Sequence, residues 1–196
     1  MTKVNSPKPE PPIKAFKTPS SFENWLAKNY QKQEGVFLRI YKKASGIATV
    51  SYAQALDAAL CYGWIDGIKK SYDEVSYLQK FTPRRAKSTW SKINVGHIAR
   101  LTAEGRMQPP GIAEVARAKA DGRWENAYEA QSEMQMPEDF LKEIAKNKKA
   151  LSFFESLNKV NKYAIAFRLH HAKKPETREK RLHEFVQMMK EGRKFH

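Results

Sequence analysis

The chain has 196 residues, 41% of them hydrophobic and 11% aromatic, which excludes a disordered polar chain and allows a substantial buried core. Its one cysteine, Cys61, excludes an intrachain disulfide or a multi-cysteine metal site and is compatible with a reducing compartment. The formal charge of +15 favours anionic partners, although a lysine-rich solvated surface gives the same total.

Residues 1–19 hold five prolines and four lysines, a composition that predicts an extended, polyproline-like arm. This opening has no apolar leader, and no later apolar run approaches the roughly 20 residues of a membrane span. A cytoplasmic protein without a membrane span is therefore expected. Ser20 and Glu23 have capping-box spacing ahead of Phe22, Trp25, Leu26 and Tyr30, which predicts a first helix closed by Gly35. Val36 to Lys42 alternates with the period of a strand, Val36, Leu38 and Ile40 sharing one face. Ser51 with Gln54 predicts the cap of a second helix that buries Leu56, Ala59 and Leu60 and stops at Gly63.

Trp64 to Lys70 and Val75 to Phe81 are short β-prone runs joined by a hairpin loop. Ser88 or Ser91 is expected to cap a third helix ending at Gly105, and Pro109 and Pro110 to begin a fourth through Ile112, Val115 and Ala116. From Pro137 onward every strand signal disappears. Helical stripes are expected at Val160, Tyr163, Ala164 and Phe167 and at Leu182, Phe185, Val186 and Met189. The fold class is thus α+β, a small mixed or antiparallel sheet of about three strands packed with helices, followed by an all-helical C-terminal part. The expected organisation is an arm at 1–19, an α+β domain at 20–135 and a helical subdomain at 136–196.

The stretch from Cys61 to Asn94 concentrates the residues with chemistry. Between Lys80 and Lys92 the cations Lys80, Arg84, Arg85, Lys87 and Lys92 occur without an acid, interleaved with Phe81, Trp90 and hydroxyl side chains. If a helix starts near Ser88, its free amides, the Ser88 or Ser91 hydroxyl and a preceding arginine would form an anion cradle. The same residues also suit a structural role, capping a helix and solubilising a turn. Trp64 and Trp90 stand among residues of exposed type, and the flat face of Trp90 beside cations suits an aromatic or sugar ligand. Asp66, if buried on its strand, needs a partner, for which Arg84 or Arg85 is expected. The candidate ligand-binding set is Trp64, Asp66, Arg84, Arg85, Lys87, Ser88, Trp90 and Ser91. His170 and His171 are adjacent on a helix, about 100° apart, and cannot share a metal without distortion. No zinc-hydrolase, nucleophile-elbow, Walker or dinucleotide motif occurs, and no metal, cofactor or catalytic residue is expected.

The segments CYGWIDG (61–67), SYLQKFTPRR (76–85), STWSKIN (88–94), AEGRM (103–107), AKADGRW (118–124) and KPETREKR (174–181) resemble the YdeI/OmpD-associated family, also labelled bacteriocin-protection proteins. The resemblance implies a bacterial, intracellular protein with a stress-related or envelope-related role, and carries over no catalytic residues. The leading reading is a non-enzymatic protein that binds an anionic small molecule or protein partner through the Trp64 to Lys92 surface. A nucleic-acid binder is the alternative, since residues 140–196 hold 15 Lys and Arg against 6 Glu, +9 of the total. An enzyme with a site around Asp66 and Arg84 is the third reading.

Overall fold

A computed structural model describes residues 10–129 and 134–195. The chain divides into two units, 1–128 and 129–196. The first is built on a four-stranded mixed sheet of order β1-β2-β4-β3, formed by Ile13–Lys14 (β1), Val36–Tyr41 (β2), Trp64–Ser71 (β3) and Ser76–Pro83 (β4). Strand β2 runs antiparallel to β4 from the Val36–Phe81 pair to the Tyr41–Ser76 pair, and β3 and β4 form the expected hairpin. The register slips between Asp66 and Lys69, where Gln79 Nε2 donates to the Gly67 carbonyl at 2.9 Å. That bond satisfies a buried amide at the bulge.

Of the extended arm expected at 1–19, the part from residue 10 onward lies along the sheet, with Ile13–Lys14 in a β-strand; residues 1–9 lie outside the described residues. Ile13 and Lys14 pair in parallel with Phe37 and Leu38, making a fourth strand, and the Phe37 amide donates to Pro12 O at 2.9 Å. Phe16 packs on Phe22 with ring centroids 5.2 Å apart. Two apolar side chains among the prolines thus gain a place on the sheet edge and core, which polyproline composition alone does not reveal.

The first helix, α1 (Pro19–Asn29), starts ahead of the expected Ser20 cap. Thr18 Oγ1 accepts from the Ser21 amide at 3.2 Å while Ser21 Oγ accepts from the Thr18 amide at 3.3 Å. Pro19 then occupies the first helical position, where its fixed φ fits and its missing N–H costs nothing. The helix ends at Asn29, six residues short of Gly35: Tyr30 still packs against the core, but the run from Gln31 to Glu34 offers no apolar side chain to bury. Helix α2 (Tyr52–Cys61) has the expected Ser51–Gln54 capping box. Phe22 and Leu26 from α1 and the small-residue face of α2 cover Val36, Leu38, Ile40 and Phe81 on one side of the sheet.

Gly63 follows at φ 72°, the left-handed stop that ends α2. Helix α3 (Lys92–Ala103) is capped by Ser91 alone, and α4 (Pro109–Ala120) packs its Gly111 against the end of α2. A Cβ at Gly111 would fall 2.9 Å from Leu60 O and closer still to the Cys61 carbonyl. The buried face of α4 is therefore Gly111 and Ala118, whereas Ile112 and Ala116 are exposed.

The second unit comprises α5 (Glu138–Ala145), α6 (Lys148–Ser156), α7 (Lys159–His170) and α8 (Pro175–Lys190). Phe140, Ile144, Phe154, Ile165, Leu169, Leu182, Phe185, Val186 and Met189 form its core, so the stripe expected on α8 is inside. The stripe expected on α7 is rotated: Val160 is exposed, and Asn161, Ala164, Ile165 and Leu169 are buried. The physical reason is Asn161. Its Nδ2 donates to Asn158 Oδ1 at 2.9 Å and its Oδ1 accepts from the Phe195 amide at 3.0 Å, so a polar side chain sits inside with its groups paired.

Candidate anion-binding site

Both tryptophans expected among exposed residues are buried, at 1% exposure each. Trp64 meets Trp25 edge to face at 5.9 Å and donates its indole N–H to Tyr30 O at 3.3 Å, a satisfied core position. Asp66 is not paired with an arginine. Tyr52 donates its hydroxyl to Asp66 Oδ2 at 2.9 Å, and burial together with this carboxylate pushes the phenol far above its ordinary range. Register explains the change, since Asp66 lies opposite Phe81 while Arg84 follows the end of β4.

Arg84 is 94% buried, at 6% exposure. Its guanidinium lies 3.6 Å from the ring centroid of Trp90, so the tryptophan face expected to meet a ligand is already covered by a cation. Nη1 donates to Thr89 O at 3.2 Å. Burial pulls its pKa down to about 10, only partly offset by the more distant Glu114. Arg85 and Lys87 are exposed. Ser88 closes a turn rather than starting a helix: its amide donates to Arg85 O at 2.9 Å and its Oγ accepts from the Arg85 amide at 3.1 Å. Ser91 Oγ accepts from the Asn94 amide at 3.2 Å and the Lys92 amide donates to Tyr128 O at 2.9 Å. The start of α3 therefore has its capping hydroxyl and first amide engaged within the protein, and the expected cradle of helix amides, serine and arginine does not form.

A groove of about 720 Å³ opens elsewhere on the same unit. Its wall carries five cations, Lys32, Lys70, Lys80, Arg84 and Arg85, against two carboxylates, Glu10 and Glu34. Strand alternation and register place them: Phe37 lies opposite Lys80 and Lys70 opposite Leu78. Lys70 and Lys80 stand over the Phe37 ring, with Nζ 5.0 and 5.6 Å from its centroid. The result is an apolar floor beneath ammonium groups, closed on one side by Pro11 and Pro12 of the arm. Of the candidate set, Arg84 and Arg85 line this groove. Lys80, counted among the cations of the Lys80 to Lys92 segment, lines it too, whereas Lys32, Phe37 and Lys70 were not singled out from the sequence, although β2 and β4 alternation could have placed Phe37 and Lys80 together.

Behind the groove wall, Trp90 packs on Trp124 with centroids 4.9 Å apart. Arg123 donates through Nε to both Asp121 oxygens at 2.8 Å and through Nη1 to Ser88 O at 2.8 Å. It is the second arginine to grip this loop, Arg84 holding the next carbonyl.

Among the described residues no group of three or more His, Cys, Asp or Glu side chains has metal-site geometry, and no helix is long and apolar enough to cross a membrane. No curated protein and no solved structure was found to match the chain. Two family models do. One, described as Domain of unknown function (DUF8412), matches residues 14–114, which hold strands β2, β3 and β4, the groove lining from Lys32 onward and Arg84. The other, described as Bacteriocin-protection, YdeI or OmpD-Associated, matches residues 133–192 in the helical unit. The chain belongs to the family of the first model, which covers more than half of it, and its helical end carries a domain of the bacteriocin-protection, YdeI or OmpD-associated family.

Proposed function

We propose that the protein binds an anionic small molecule of nucleotide size in the groove between the N-terminal arm and the open face of the sheet. The observation that carries this reading is the convergence of five cations on one cavity with two carboxylates. A volume of about 720 Å³ falls in the range of small-ligand sites, roughly 300–1,000 Å³. Phe37 beneath Lys70 and Lys80 supplies apolar contact, while the ammonium groups supply charge without fixed geometry, which suits a phosphate-bearing ligand. The description of the family matched by the helical end supports a role connected with bacteriocin protection, and a cytoplasmic location is part of this proposal. Calorimetric titration of ATP into the full chain at low ionic strength tests the binding. Lys70→Gln with Lys80→Gln should weaken it, and equal affinity in wild type and double variant would remove the reading.

A second reading, contact with nucleic acid through the helical unit, is favoured by the 15 Lys and Arg against 6 Glu between residues 140 and 196. Retention on heparin that falls steeply with salt would support it. No retention at about 50 mM salt would remove it.

A further inference from the structure

The buried side-chain nitrogens and oxygens that lack a hydrogen-bond partner among the described residues all belong to one neighbourhood. They are Nε and Nη2 of Arg84, Nε1 of Trp90 and Nη2 of Arg123, donors without exception. The three residues are joined directly: Arg84 lies on the Trp90 ring, and Arg84 and Arg123 bind the consecutive carbonyls of Thr89 and Ser88. Leaving such a donor unmet costs about 1–3 kcal/mol, so four together are not the arrangement a purely structural clamp requires.

Charge points the same way. The carboxylates whose fields reach Arg84 are committed elsewhere, Glu114 to Arg117 and Asp66 to Tyr52, and Asp121 already holds Arg123 Nε. What remains is two guanidinium groups and an indole N–H with surplus donors and surplus positive charge. A tetrahedral oxyanion has the acceptors and the charge to satisfy both. Arg84 also stands in the wall of the groove, which gives such an anion a way in. The turn from Arg85 to Ser88, which follows Arg84 directly, is closed by two hydrogen bonds of its own.

We infer that Arg84, Trp90 and Arg123 form an oxyanion subsite at the inner end of the groove, one that takes inorganic phosphate or the phosphoryl group of a larger ligand. The inference rests on the groove reading only for the route of entry.

The test uses the full chain, with thermal melts and calorimetric titrations of inorganic phosphate and of AMP at ionic strength matched with sodium chloride. Phosphate should raise the melting temperature where chloride does not. Arg84→Lys, which keeps the charge but loses the fork, and Trp90→Phe, which keeps the ring but loses the N–H, should each weaken phosphate binding about tenfold while the circular dichroism stays that of wild type. AMP bound more tightly than phosphate identifies the phosphoryl group of a larger ligand, and equal affinities identify free phosphate. Either result supports the subsite. No phosphate-specific response in wild type, or wild-type affinity in both variants, overturns it. The double variant Lys70→Gln with Lys80→Gln separates the two readings. If it binds ATP as wild type does while phosphate still depends on Arg84, the groove reading fails and the subsite stands. If ATP depends on the lysines while phosphate binding is absent, the subsite fails and the groove stands.

Discussion

Replacing Arg84 by Met exposes the energetic position of the buried guanidinium. This side chain has 6% exposure and one hydrogen bond, to Thr89 O, with two of its nitrogens unmet. The fall of its pKa from 12.5 to about 10 corresponds to about 3 kcal/mol of penalty on the charged form. The sign follows: the penalty is present in full below pH 10 and is relieved only as pH rises from the folded value toward the unfolded one. Stacking on Trp90, worth about 2 kcal/mol when desolvated, opposes it, but a methionine keeps much of that contact through its flexible thioether. Exchange of a buried ion for an apolar side chain of similar length is often neutral or stabilising. Arg84→Met is therefore expected to leave stability at pH 7 unchanged or to raise it by up to about 2 kcal/mol, a melting shift of roughly 2–4 °C per kcal/mol for a chain of this size. Urea titration followed by tryptophan fluorescence in phosphate-free buffer measures it. A loss of more than about 2 kcal/mol would refute the reasoning, because the guanidinium would then be holding the Ser88–Thr89 loop more strongly than its burial costs.

Three further outcomes follow from the fold. Gly111→Ala should destabilise by about 1–3 kcal/mol despite the better helix propensity of alanine, because the new Cβ meets the Leu60 and Cys61 carbonyls; a stabilised variant in a urea titration would contradict the close packing of α4 on α2. Burial pushes the Cys61 thiol from 9.0 up to about 11, so it contributes about 3 kcal/mol of stability that is present below pH 9 and lost as pH rises toward 11. Cys61→Ala should show a shallower loss over that window, and identical slopes for the two proteins would count against a buried thiol. A fragment of residues 1–135 should melt cooperatively, since the first unit contains its own core around Phe22, Leu26, Leu38 and Trp64. A broad, non-cooperative melt would show that the core depends on the helical end.

The parts of the fold that were legible in the sequence are those where one local signal decides the outcome. Ser51 and Gln54 cap α2 as their spacing predicts, Gly63 takes the left-handed conformation that stops it, and Val36, Leu38 and Ile40 face the core as alternation requires. Where two signals compete, or a distant partner decides, sequence reading loses its hold. Thr18 and Pro19 win the start of α1 over Ser20 and Glu23 because a proline fixes the first helical position. Asn161 takes a core position that periodicity gives to Val160, because its amide finds partners in Asn158 and the Phe195 amide. The candidate site shows the same division. The segment rich in Arg84, Arg85 and Trp90 is where unpaired donors gather, but the groove is completed by Lys32 and by the arm, from distant parts of the chain. Arg123, the third member of the buried cluster, carries no local signal beyond its place in AKADGRW.

The claim on which the account rests is that the basic groove binds an anion. Its most direct test is calorimetric titration of ATP into the full chain at about 50 mM salt, repeated with Lys70→Gln and Lys80→Gln combined. The account predicts saturable one-site binding in wild type, weakened about tenfold or more in the double variant and weakened further as salt rises. Absence of binding to wild type, or an affinity that neither the two lysines nor salt alters, would contradict it.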